Sequence, residues 1–228
     1  VGLYAAWALL FAFQFTWQSK KAQIDPLVTV FITLANYGLL RHLLLGPDWR
    51  WWTLGWFAAG LGTISKGVGA VALLMVLPAA IASLRGWPRV KVHARDWRFW
   101  LGPLGFLAAV SIWLLPVVTV ALARDLPDYR AYLDDILFRQ TAKRYSQSWD
   151  HHQPPWYFFG VMLGMWIPPV LALPWAIPAW WRRLKRRDAR YLLPLAWWAL
   201  VLVFFSIPDG KRDVYILPAL PMLCLALA

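Results

Sequence analysis

The sequence predicts an all-α polytopic membrane helix bundle of about eight transmembrane spans, and three observations predict it. Of 228 residues, 61% are hydrophobic and only 15% charged, far from the half-apolar, quarter-charged composition of a soluble domain. The apolar residues gather in runs of membrane-spanning length, about 20 residues for a 30 Å hydrocarbon core. Lys and Arg are divided unevenly between alternate connecting loops, the asymmetry that orients helices in a bilayer. Eighteen Trp, 17 Pro and 14 Gly exclude a coiled coil or a disordered chain. The single Cys224 cannot form an internal disulfide and reads as a packed small hydrophobe. Val1 and Ala228 both lie within apolar stretches, so residues 1–228 are expected to be part of one larger transmembrane domain.

The runs are residues 1–17, 26–45, 51–64, 68–84, 99–123, 155–180, 191–207 and 214–228. Asp25 and Pro26 open the second as a helix N-cap followed by proline at the first helical position. Between residues 51 and 84 the only charge is Lys66, yet a continuous helix there would be about 51 Å long, well beyond the core. The chain must turn, and Gly60, Gly62, Gly67 and Gly69 around Lys66 supply the backbone freedom. The Gly-x-Gly at Gly60 lies within a span and reads as helix packing. The fifth run leads into residues 124–152, the one loop long enough for structure of its own. There Asp128 can cap an interfacial helix with Tyr129, Leu133, Ile136 and Leu137 on one face, opposite Arg130, Asp134 and Asp135. Trp17, Trp49, Trp51, Trp52, Trp97, Trp100, Trp156, Trp180 and Trp181 fall near span ends, where amphipathic rings sit at the headgroups.

All eleven acids are Asp. Loops 41–50, 85–98 and 182–190 carry thirteen Lys and Arg against three Asp, while the loops on the other side carry ten against eight. A net +10 against +2 places the first set in the cytoplasm. Its basic runs are topology anchors, and nucleic acid is not an expected partner.

Chemistry is expected on the external side. The chain has no phosphate-binding Gly-rich loop, zinc-protease helix or nucleophile elbow. What remains is a set of polar groups at the outer ends of spans, where ionisable residues are costly to hold. Asp25 can be a helix cap, a site carboxylate or both. Lys66 can snorkel to the headgroups or hold a phosphate beside a Gly-lined turn. His151 and His152 can be a structural pair or ligands, and alone they do not make a metal site, which needs more ligands. In residues 206–215, Lys211 and Arg212 can pair with Asp209 and Asp213 or face a substrate.

These segments together resemble a known family. Residues 20–37, around Asp25-Pro26, resemble the second-loop Asp motif of the GT-C glycosyltransferases, the superfamily of aminoarabinose transferases and protein O-mannosyltransferases. Ser65-Lys66-Gly67-Val68 is similar to its Thr-Lys-Gly-Pro turn, with Val68 in place of proline. His151-His152-Gln153-Pro154-Pro155-Trp156-Tyr157-Phe158 resembles its His-x-x-Pro-aromatic-Trp-Tyr-Tyr segment. Phe205-Ser206, Lys211, Tyr215 and Leu217-Pro218 keep the spacing of its Phe-Ser-x-x-x-x-Lys-x-x-x-Tyr-x-Leu-Pro segment. The four occur in the family's order and on the side that charge alone made external.

The resemblance implies a GT-C domain and an inverting glycosyltransferase of the bacterial inner membrane with a periplasmic site. Such an enzyme moves a sugar from a polyprenyl-phosphate donor to a lipid A-like lipid, a glycan or a protein. Asp25 would be a supporting carboxylate, the principal catalytic Asp lying in a first external loop upstream of Val1. Lys66, Lys211, Arg212, Tyr215, Trp156 and Tyr157 would bind phosphate and substrate, and His151 a divalent metal. Rivals are an O-antigen ligase or polymerase using the same carrier lipids, a secondary transporter with broken helices, and a nonenzymatic scaffold.

Overall fold

The computed structural model describes residues 1–124 and 152–228. The interfacial helix expected after Asp128, and His151, lie outside the described residues. Helices α1 (Gly2–Phe11), α2 (Phe13–Ser19), α3 (Asp25–Leu45), α4 (Trp49–Lys66), α5 (Val76–Leu84) and α6 (Leu101–Arg124) precede that loop. Helices α7 (Tyr157–Met165), α8 (Leu173–Lys185), α9 (Ala189–Ser206) and α10 (Leu220–Leu227) follow it. Short 3₁₀ helices at Gly69–Met75, Trp97–Trp100, Pro169–Ala172 and Asp213–Ala219 lead into α5, α6, α8 and α10. The single bridge outside helices among the described residues joins His152 and Gly210.

The eight apolar runs do not all form single long helices. Among the described residues three helices are long and apolar enough to span alone: Asp25–Leu45, Trp97–Ala123 and Ala189–Ser206. Tyr157–Met165 and Pro169–Lys185 make a fourth if counted as one span, but they bend by 99°. The break falls at Pro168 and Pro169, which have no amide hydrogen for a helix ladder. The first run is also interrupted, at Ala12, whose extended backbone separates α1 from α2. The amide of Phe13 freed there donates to the Ile167 carbonyl at 3.0 Å, so the two breaks repair each other's backbone hydrogen bonding.

The turn at Lys66 is present. Helix α4 ends on Lys66, and Gly67 takes φ +80°, a left-handed residue that closes a helix C-terminus. The Gly67 amide returns to the Thr63 carbonyl. Gly69 then folds the 3₁₀ helix back onto α4 so closely that a Cβ would sit 2.3 Å from the Gly62 carbonyl carbon and the Thr63 nitrogen. Both atoms belong to a packed helix backbone and cannot swing aside. Gly69→Ala is expected to destabilise the protein by about 1–3 kcal/mol, the cost of overpacking, read as a lower thermal midpoint in detergent.

Glycines also set the other close contacts. A Cβ on Gly38 would lie 2.9 Å from the Gly55 Cα, which brings α3 and α4 together backbone to backbone. Gly60 meets Ala109 and the Phe106 carbonyl of α6, so the Gly-x-Gly is a packing device. Three indoles expected near span ends or in a helix are buried and satisfied instead. Trp52 donates to the Phe99 carbonyl at 2.9 Å, Trp180 to that of Ala226 at 2.8 Å, and Trp197 to that of Val71 at 3.0 Å. Trp97, Trp100, Trp156 and Trp181 remain exposed, as interface anchors should. Leu104, Leu107, Ile112 and Leu115 of α6 face outward, an apolar surface suited to lipid. Cys224 is buried among apolar side chains.

All three Asp of the basic end serve as helix caps. Asp48 accepts the Trp51 amide at 3.3 Å, Asp96 the Arg98 amide at 3.0 Å, and Asp188 the Arg190 amide at 3.2 Å. The Arg98 side chain beside Asp96, and Arg190 beside Asp188, hold these two carboxyls below the usual carboxylate range. Because the folded pKa values lie below the unfolded ones, this stability is present above about pH 5 and is lost as pH falls through about 4 and lower. An Asp96→Asn, Asp188→Asn double variant should therefore have a lower thermal midpoint than wild type at pH 7, and the gap should close only as pH falls below the usual carboxylate range.

Candidate functional site

Antiparallel packing of α3 on α4 puts the first residue of one helix beside the last of the other. Those residues are Asp25 and Lys66. Their side chains form an ion pair, Lys66 Nζ donating to Asp25 Oδ1. The expected cap is not made: Asp25 is already helical, Ile24 occupies the capping position, and no side chain caps α3. The carboxylate turns to the ammonium, which it can approach while still lying in the positive field of the helix start. Thr29 Oγ1 donates to the Asp25 carbonyl at 2.9 Å.

A third element completes the group. Lys66 Nζ lies 5.5 Å from the centroid of the Tyr215 ring, within cation–π range. Tyr215 stands on the 3₁₀ helix Asp213–Ala219 and packs against Phe205 with ring centroids 5.8 Å apart. The ammonium is thus positioned by a carboxylate and an aromatic face while it stays partly exposed.

Lys211 is in the same region of the fold but plays a different part. It is 2% exposed, and its Nζ donates to the carbonyls of Pro208 at 2.6 Å and Gln153 at 2.9 Å. The loop at 208–213 is tied to the start of α7 by this lysine, by the His152–Gly210 bridge, and by the Gln153 amide donating to Asp209 at 3.0 Å. Arg212, Trp156 and His152 are exposed, and Tyr157 is partly buried as the first residue of α7.

Two residues not singled out from sequence hold this assembly from below. Gln14 and Gln18 of α2 are buried. Gln14 Nε2 donates to the Asp213 carbonyl at 2.7 Å, and Gln18 Nε2 to the Asp213 carboxylate at 3.2 Å. Gln14 Oε1 accepts the Trp166 indole N–H. The signal was available: two amides four residues apart within an apolar run lie on one helix face. Among the described residues no three His, Cys, Asp or Glu come together to hold a metal ion, and the expectation of a metal rests on His151.

No protein-family model matches the chain. It is 32% identical over 211 residues to the undecaprenyl phosphate-alpha-4-amino-4-deoxy-L-arabinose arabinosyl transferase of Pectobacterium carotovorum, covering 90% of the chain and 35% of that protein. Its likeness to the enzyme of the same name from Pseudomonas aeruginosa is 30% over 237 residues, covering 98% of the chain and 38% of the relative. The chain therefore spans little more than a third of the length of these relatives. The crystal structure of ArnT from Cupriavidus metallidurans bound to undecaprenyl phosphate superposes with a TM-score of 0.72 at 20% identity, over 98% of this chain and 39% of that one. The apo form gives 0.68. Over the stretch it spans, the chain has the helical membrane fold of ArnT and is similar in sequence to about a third of these arabinosyl transferases.

Proposed function

We propose that the protein acts as an integral-membrane glycosyltransferase, moving a sugar from a polyprenyl-phosphate donor to an acceptor at the periplasmic face of the bacterial inner membrane. The carrying observation is the Lys66 ammonium held between Asp25 and Tyr215 at the membrane-edge ends of α3 and α4. The names of the relatives support undecaprenyl phosphate as carrier and 4-amino-4-deoxy-L-arabinose as sugar. The acceptor we favour is a lipid A-like lipid, with glycan or protein as the other candidates. Fold and relatives do not favour the ligase, transporter or scaffold readings.

In this reaction the acceptor hydroxyl oxygen attacks the anomeric carbon and inverts it. The bond from that carbon to the phosphate oxygen breaks, its electron pair leaves with the polyprenyl phosphate, and the hydroxyl proton passes to a carboxylate base. Negative charge grows on the departing phosphate, and a preorganised cation stabilises it more in the transition state than in the ground state. Lys66 supplies that cation. Asp25 supports the reaction by fixing the Lys66 ammonium, and Tyr215 limits its movement on the other side. Arg212, exposed beside Asp213, is a second cation for the lipid phosphate, while Trp156 and Tyr157 flank the carrier. Lys211 shapes the loop that bears Tyr215. A divalent metal at His151 would polarise the donor phosphate.

The test is sugar transfer by the full-length protein in proteoliposomes, with labelled aminoarabinose on undecaprenyl phosphate and lipid A as acceptor. Labelled lipid A is the expected product. Failure to release undecaprenyl phosphate with lipid, glycan or peptide acceptors would reject the assignment.

A further inference from the structure

At the other end of the α3–α4 hairpin, one bilayer thickness from Asp25 by the length of α3, about 31 Å, lies a cleft of about 620 Å³. Arg41, Arg50 and Arg98 line it with Asp48, Trp49 and Leu45. We propose that this cleft holds the phosphate of an anionic phospholipid headgroup in the leaflet opposite the Asp25–Lys66 site.

The size falls within the range of small-ligand sites, about 300–1,000 Å³. Three guanidinium groups line it: Arg41 pairs with Asp48 within the cleft, and Arg98 pairs at 3.0 Å with Asp96, which does not line it. Asp48 pairs with Arg41 at 3.2 Å and caps α4 through the Trp51 amide. Arg41 is stacked 5.5 Å from the Trp51 ring centroid, and Arg98 5.3 Å from that of Trp49. Two cations are therefore oriented before any ligand arrives, which reduces the ordering cost of binding. Arg50 is exposed and makes no ion pair among the described residues. The positive start of α4 opens into the same cleft. Leu45, 80% exposed, gives the rim an apolar edge that suits an acyl chain better than a free ion. The cleft also sits among the loops with the net +10 charge, where anionic lipid is attracted.

Native mass spectrometry of the full-length protein, released from nanodiscs of equal parts phosphatidylglycerol and phosphatidylcholine, tests the assignment. Wild type should retain phosphatidylglycerol in preference to phosphatidylcholine. Arg50→Ala should lower that preference about 5-fold, and Arg50→Ala with Arg98→Ala about 25-fold, the effect of one basic side chain each at an anionic surface. Arg186→Ala, in a separate basic cleft of about 190 Å³, should leave it unchanged. An equal loss in Arg186→Ala would mean diffuse attraction and overturn the proposal. Stripping of the retained lipid by excess inorganic phosphate would also overturn it, since a free anion would then be the ligand. Should the double variant lose its wild-type thermal midpoint, Arg50→Glu alone decides: an unchanged preference rejects the site, and its loss in a folded protein upholds it.

Discussion

Lys66→Ala is expected to lower sugar transfer by about 100-fold or more, the usual cost of removing a preorganised electrostatic donor at a developing anion. The ammonium is already aimed by Asp25 and by the Tyr215 ring, so little reorganisation is needed when the phosphate departs. Lys66→Arg keeps the charge on a planar, longer group and should retain partial activity if a point charge suffices. Asp25→Asn leaves the ammonium without its carboxylate partner, so turnover should fall less than for Lys66→Ala. The measurement is single-turnover transfer in proteoliposomes, with insertion checked separately. A lysine that merely snorkels to the headgroups would give near-normal turnover after alanine substitution, and that result would remove Lys66 from the mechanism.

Lys211→Met should unfold the 208–213 loop from α7 before it affects chemistry directly. The substitution keeps the aliphatic stem and deletes the ammonium, so the Pro208 and Gln153 carbonyls lose their donor. Pro208 is partly buried and Gln153 exposed, so the loss should be at most the roughly 1–3 kcal/mol of one unpaired carbonyl, read as a lower thermal midpoint. Thermal stability and transfer should fall together, because the displaced loop leads directly into Tyr215. The family resemblance implies a phosphate-binding role for Lys211, whereas its buried geometry makes it a tie between two loops first. A variant with wild-type midpoint and lost transfer would return Lys211 to direct phosphate contact.

Much of the arrangement can be read from residue order. The helix hairpin with its turn at Lys66 follows from length alone, since no 51 Å helix fits the core. Asp25 and Lys66 stand out because charge at a span end is costly without a partner, whereas Tyr215 is picked out only by the family resemblance. The breaks at Ala12 and Pro168 are harder to see, because apolar content continues across them and hydrophobicity does not report backbone direction. Buried indoles misled for a related reason. Trp52 and Trp180 look like interface residues by position, yet each finds a carbonyl in the core, which depends on neighbours remote in sequence. Gln14 and Gln18 are legible only as a pair on one helix face, and their partner Asp213 lies at the far end of the chain.

The Asp25–Lys66 pair joins the ends of two consecutive helices, and this bears on how the protein enters its membrane. Helices α3 and α4 leave the ribosome as neighbours, with the short connection after Leu45 remaining on the basic side. Both ionised groups therefore belong to one hairpin and can pair before the helices that follow α4 insert. An isolated charge held in the bilayer is penalised by about 2.5–3.5 kcal/mol at the centre of a span, and less toward the edge. Partnered within one hairpin, the two charges present the translocation machinery with a compact dipole instead of two separate ions. Biogenesis and activity thus place the same demand on these two side chains, and a substitution of either one should be scored for inserted protein as well as for turnover.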